Sequence, residues 1–284
     1  MRRNIDSVPF RLLLRFPVIM LILPLIISCS TGNAKMRGFE DKEEVKNITY
    51  QSGAVIRGDS SIKTLSLVFT GDSYAEGGEY IMDILAKHNI RGSFFFTGNF
   101  YRNPQFNQLI VSLRDQDHYL GPHSDRHLLY CAWENRDSLL VSESEFRRDM
   151  ANNLKEMEKF GIRRDEARIF MPPFEWYNTS IARWSEEFGL VLINYTPGSR
   201  SHTDYTTPSM SAYTGSKTIL ESIYRFNEDN LSGLNGFILL THIGAGEERT
   251  DKFFLYLDEL ISTLSDGGYT FCRIDSLPGL RLLL

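Results

Sequence analysis

From residue 64 onward, short apolar runs alternate with longer stretches whose apolar residues recur every three or four positions. The short runs are TLSLVFT (64–70), GSFFFTG (92–98), HYLG (118–121), RIFM (168–171), LVLINY (190–195), GFILLTH (236–242) and YTFCRI (269–274). Their length and their β-branched and aromatic content predict strands. Between them lie GGEYIMDILAKHN, NPQFNQLIVSLRDQ, ESEFRRDMANNLKEMEKFG, NTSIARWSEEFG, SKTILESIYRFNEDN and TDKFFLYLDELISTLSDGG. Each spaces its apolar residues for one buried helix face, and several stop at or near glycine. About seven strand–helix units predict parallel strands with helices outside, as a barrel or a doubly wound sheet. In both architectures chemistry gathers where strands end and loops begin.

Ionisable residues stand at those ends. The first strand runs into Asp72, the third into His123 and His127, the fourth into Glu175, Trp176 and Tyr177, and the sixth ends at His242. The fifth leads into a long polar loop, TPGSRSHTDYTTP, that holds Arg200, His202 and Asp204. One carboxylate and two imidazoles suit a catalytic zinc or another first-row divalent ion. Taken singly, Asp72 reads as a helix cap and the histidines as loop residues. Their joint placement favours a metal set of Asp72, His123 and His127. His88 and His118, near a helix end and a strand start, read as structural.

The chain has 284 residues and a net charge of −5, which suits one large domain. No basic tract points to nucleic acid, no internal repeat is visible, and a monomer is expected. The N-terminus is different: a basic opening precedes an apolar run that ends at Ile26-Ile27-Ser28-Cys29. This is the layout of an export signal, and its end resembles a bacterial lipobox. Residues 1–28 are then a signal, Cys29 a lipid anchor in the cell envelope, 29–46 a polar tether, and 47–284 the domain. A membrane-spanning anchor is the alternative, although Pro17 and Pro24 interrupt the run. Cys131 and Cys272 read more simply as buried free thiols than as a disulfide.

The segments SLVFTGDS, GSFFFTG, HSDRH, FMPPFEW and ILLTHIG resemble the motifs of the polysaccharide deacetylases, the NodB-homology or carbohydrate esterase family 4 enzymes. The resemblance spans roughly residues 64–277. HSDRH and the block from ILLTHIG onward carry it most specifically. It implies a distorted (β/α)7 barrel and a hydrolase that removes N- or O-acetyl groups from carbohydrate. It also implies a divalent ion, zinc foremost, on Asp72, His123 and His127, with His242 as the acid that protonates the leaving group.

Two positions depart from the family pattern. Gly71 stands where the family has a base aspartate, and Met171 where it has the arginine that orients that base. The two losses fit each other. Glu175, at the same strand end as Met171, is the nearest replacement base; a solvated loop carboxylate is the alternative. Asp125 is a weaker candidate. Trp133, Trp176 and Tyr177 suit sugar stacking, with core packing as the competing reading for Trp133, and Arg200 is a further substrate-binding candidate. Two rival functions stay open: a glycan-binding module that has lost turnover, and a hydrolase of a non-sugar amide.

Overall fold

The computed structural model describes residues 48–284. The expected signal, Cys29 and the tether lie outside these residues. An antiparallel hairpin comes first, β1 (Thr49–Gln51) and β2 (Ala54–Arg57). The alternation read from the sequence follows. It runs β3 (Thr64–Gly71), α1 (Gly78–Lys87), β4 (Ser93–Phe96), α2 (Gly98–Arg102), α3 (Asn107–Asp115) and β5 (Tyr119–Pro122). Next come α4 (Glu143–Glu158), β6 (Ile169–Phe170), α5 (Thr179–Glu187) and β7 (Val191–Leu192). The chain ends with α6 (Ser216–Asp229), β8 (Ile238–His242), α7 (Leu257–Asp266) and β9 (Thr270–Phe271).

β3 is the shared strand. It pairs in parallel with β4, β8 and β9, and β4 pairs in parallel with β5. Thr70 lies opposite both Phe95 and His242, so neighbouring strands end on one level. β6 and β7 form a separate parallel pair. Isolated bonds join the pair to the rest: Met171 N–H donates to the Pro122 carbonyl at 3.3 Å, and Thr196 N–H to the Ile238 carbonyl at 3.0 Å. Asn194 N–H reaches the Val55 carbonyl at 2.9 Å, so β2 fills part of the gap. The result is a distorted (β/α)7 barrel closed partly by single hydrogen bonds.

Strands buried on both faces explain the continuous apolar runs. Phe94, Phe95 and Phe96 of β4 are all buried. Phe94 stacks on Phe69 with ring centroids 4.9 Å apart, and Phe96 on Phe100 at 4.0 Å. Ile81, Ile84 and Leu85 form the inner stripe of α1, and Ser142 with Glu145 makes a capping box at the start of α4. The hairpin carried no such signal because β1 is exposed throughout. Its turn, Ser52 (φ +47°) and Gly53 (φ +87°), has the left-handed pair a tight hairpin needs. Cys131 and Cys272 are both free.

The loop between β7 and α6 is fastened by one wholly buried side chain, Arg249. Its guanidinium donates to the carbonyls of Asp251 (2.7 Å), Thr206 (2.6 Å) and Thr214 (3.0 Å) and to Ser216 Oγ (3.0 Å). Replacing it by methionine leaves the buried Thr206 and Thr214 carbonyls without this donor. Arg249→Met should therefore destabilise the domain by at least about 2 kcal/mol in urea unfolding. A change below about 0.5 kcal/mol, the size of a surface substitution, would show that the loop is held by other means.

Candidate functional site

The ends of β3, β5, β6 and β8 open into one cavity of about 1720 Å³, lined by Asp72, His123, His127, Trp133, Glu175, Trp176 and His242 among others. Asp72 follows directly on β3. Its Oδ1 accepts from Thr97 Oγ1 at 2.7 Å and Asn99 Nδ2 at 3.2 Å, and its Oδ2 accepts from Ser73 Oγ at 2.7 Å. Burial works to raise its carboxyl, but these hydrogen bonds and the nearby His127 hold it below the usual range.

His123 is buried just past β5. Its ring Nδ1 lies 2.8 Å from the Met171 carbonyl, and its backbone N–H donates to Asn153 Oδ1 at 2.8 Å. A carbonyl can only accept, so Nδ1 carries the proton and Nε2 is bare. Burial, with His127 adding to it, pushes His123 down to about 3, so the imidazole is neutral. His127, lowered by burial as well, lies with its ring centroid 5.2 Å from that of His123 and 4.4 Å from Phe174. A carbonyl behind a neutral imidazole is the usual support for a ligating histidine. The pair therefore suits an ion in donor chemistry. The third expected donor, Asp72, accepts at Oδ1 from Thr97 and Asn99 and at Oδ2 from Ser73 alone. Among the described residues no three His, Cys, Asp or Glu side chains gather closely enough to hold a metal ion.

At the end of β8, His242 Nδ1 lies 2.6 Å from Asp204 Oδ1, and its backbone N–H donates to Asp204 Oδ2 at 2.9 Å. Burial would lower this imidazole, but the Asp204 charge and hydrogen bond, helped by Glu175, raise it above its ordinary value. Asp204 comes from the loop that Arg249 fastens at Thr206 and Thr214. The sequence placed Asp204 in a long loop and gave no role to it; the partner it needed lies 38 residues away. Tyr205, next to it, sets its ring 4.9 Å from the His242 ring.

Glu175 lines the same cavity, and its backbone carbonyl accepts from Asn194 Nδ2 at 2.9 Å. Burial pushes its carboxyl up to about 7; His242 opposes the shift and Asp204 adds to it. Met171 is fully buried in the core, and its side chain offers the cavity nothing polar. At Gly71 an added Cβ would come within 2.8 Å of Ile243 and 3.0 Å of Phe96 and Phe100. A side chain at Gly71 would thus meet apolar groups. Asp125 pairs with Arg102 at 2.5 Å and lines a separate, smaller cavity.

The other candidates divide. Trp133 is 53% exposed and lines the cavity with Phe174 and Trp176. One face of Trp176 is covered by Arg136, whose guanidinium carbon lies 3.7 Å from the ring centroid. Tyr177 is buried in the core and its hydroxyl donates to the Gln51 carbonyl at 3.0 Å, outside the cavity lining. Arg200 reaches Thr214 Oγ1 at 3.4 Å and is likewise absent from the lining. His88 and His118 bond Asp258 and the Gly92 N–H, respectively, as structural histidines do.

The polysaccharide deacetylase family model matches residues 57–193, a span that holds Asp72, both histidines of HSDRH and Glu175. Over that span the chain is similar to the polysaccharide deacetylases. The peptidoglycan-N-acetylmuramic acid deacetylase PdaA of Bacillus subtilis is 24% identical over 238 residues, 83% of this chain and 79% of that protein. An uncharacterized 30.6 kDa protein of Geobacillus stearothermophilus is 25% identical over 243 residues, 83% of this chain and 78% of that one. Among solved structures, PdaA superposes with a TM-score of 0.62 at 22% identity, covering 80% of this chain and 85% of that chain. A carbohydrate esterase family 4 pseudoenzyme from Bacillus anthracis gives 0.62 at 20% identity, covering 80% and 69%. These structures share the fold of this chain.

Two titrations check the electrostatics of this site. His242 should hold its proton above pH 6.5 in NMR titration, and Asp204→Asn should bring it below that value. An imidazole raised in the fold contributes stability at low pH and loses it as pH rises through the folded value. A His242 that titrates alike in both proteins contradicts the pairing. Glu175 has the opposite consequence. Its proton is held more tightly folded than unfolded, so its cost to stability is absent below about pH 4.3 and complete above about pH 7. Glu175→Gln should thus match the wild type at pH 4 and exceed it in stability at pH 8. Equal stability at both would place the carboxylate in solvent.

Proposed function

We propose that this chain hydrolyses acetyl groups from a carbohydrate polymer or oligosaccharide, with Glu175 as base and His242, positioned by Asp204, as acid. The observation that carries the reading is the 2.6 Å His242–Asp204 pair in the same cavity as a carboxyl raised to about 7. A carboxyl near 7 accepts a proton effectively at neutral pH, and a raised imidazole still has one to give. Glu175 takes a proton from water as the water oxygen bonds to the acetyl carbon. His242 then donates its proton to the sugar nitrogen or oxygen as the bond to the acetyl carbon breaks. The products are acetate and the free amine or alcohol. The Trp133 and Phe174 rings offer apolar faces to a sugar ring.

A divalent ion, zinc foremost, supplies a polarised carbonyl and a more acidic water wherever it takes part in such chemistry, and His123 and His127 are the donors prepared for it. Asp72 would add its Oδ2, which accepts only from Ser73, while Oδ1 keeps its bonds to Thr97 and Asn99. The apolar packing around Gly71 favours a second reading, a glycan-binding module without turnover on the same barrel. Anchoring of the domain to a membrane through a lipidated Cys29 is part of the same proposal and is tested by the detergent partitioning of the wild type against Cys29→Ala.

Acetate release across a panel of N- and O-acetylated glycans, with and without added zinc, separates the readings. His242→Ala should lower the rate on the order of 10²–10⁴-fold. The loss should be larger on N-acetyl substrates, because an amine depends more on protonation to leave. Equal rates in wild type and variant remove His242 from the mechanism. Glycan binding without acetate release supports the binding module instead.

A further inference from the structure

We propose that Arg136 is a carboxylate-recognising residue at the aromatic end of the cavity, so that the sugar bound there carries an acidic substituent. The inference rests on the carbohydrate reading above and names the substrate class within it.

Arg136 is held in place from two sides. Its guanidinium lies over the Trp176 ring at 3.7 Å, and its backbone carbonyl accepts from Asn178 Nδ2 at 3.0 Å. Trp176 is itself fixed, with Nε1 donating to the Ala132 carbonyl at 3.2 Å. The guanidinium is therefore preorganised before a ligand arrives. It forms no hydrogen bond or ion pair with any described residue, although Glu134 and Asp137 flank it in sequence. Stacking satisfies one face of the group and leaves its N–H edge open. Arg136 is part of the cavity lining that also contains the exposed ring of Trp133.

A planar fork of N–H donors matches a carboxylate bidentately, and a neutral hydroxyl uses it poorly. The rest of the cavity works in the same direction. Loops after β3 and β8 bring Glu76, Glu247 and Glu248 into the lining, and Lys252 there is already paired with Glu76 at 2.5 Å. An acidic substituent is repelled at that end and attracted at Arg136, which fixes the direction of the bound glycan. Trp133 then stacks on the sugar ring while Arg136 holds its carboxylate.

The test uses N-acetylated oligosaccharides that carry a uronic or lactyl-ether carboxylate and the same oligosaccharides after carboxyl reduction. Binding is measured by calorimetry for the wild type, Arg136→Gln, Arg136→Lys and Trp133→Ala, with folding checked by circular dichroism. The wild type should prefer the carboxylate form by about tenfold or more. Arg136→Gln should bind both forms alike, and Arg136→Lys should keep only part of the preference, because an ammonium is a point charge without the fork. Trp133→Ala should weaken both forms by a similar factor. A wild type that binds the reduced form as well as the acidic one overturns the role of Arg136 and leaves the carbohydrate reading standing. Binding of neither form overturns both.

Discussion

The register of β3 is the constraint on which the site depends. It is hydrogen-bonded in parallel to β4, β8 and β9, so its end sets the level at which its neighbours end. Thr70 opposite His242 places the β8 histidine beside the start of the Asp72 segment. Thr97 N–H bonds the Gly71 carbonyl at 3.2 Å, while the Thr97 hydroxyl caps α2 and also donates to Asp72. One side chain thus ties two strand ends and a helix start together. A slip of one residue would turn each of these side chains to the opposite face.

The loops beyond this rim hold strained backbone. Ser124, His127, Phe174 and Glu175 all have positive φ, and none is glycine. Such residues cost of order 1–3 kcal/mol each and persist where surrounding bonds over-determine them. Here the bonds are visible: Asn153 on the His123 N–H, Met171 on the His123 ring, and Asn194 on the Glu175 carbonyl. His127, Phe174 and Glu175 line the cavity, and His127 and Glu175 bring ionisable groups to it. Strain in these loops is balanced by packing below them, where Gly71 and Met171 are surrounded by apolar side chains.

The seven parallel strands and six of the helices were legible because each buries a face or a stripe, and burial writes a period into the sequence. The hairpin was not, because its first strand is exposed; α2 was not, because five residues make too short a stripe. Asp72, His123, His127, Glu175, Trp176 and His242 could be placed because each follows a strand, and the structure brings all six to one cavity. Tyr177 also follows a strand but turns into the core beside Trp176, a choice of side that strand position does not encode. Arg200 belongs to a loop whose path is set by Arg249, some fifty residues later in the chain. Asp204 and Arg136 escaped for the same reason: their meaning lies in partners, His242 and Trp176, distant along the chain.

The central claim is that Glu175 and His242 act as a base and an acid across one cavity. The pH dependence of kcat/KM for acetate release from an N-acetylated oligosaccharide tests it most directly. The account predicts a rise through about pH 7 as Glu175 ionises, then a fall at higher pH as His242 loses its proton. In Glu175→Gln the rising limb should vanish with much of the rate, and the falling limb should remain. A profile unchanged by that substitution, or no acetate release at any pH, would contradict the account.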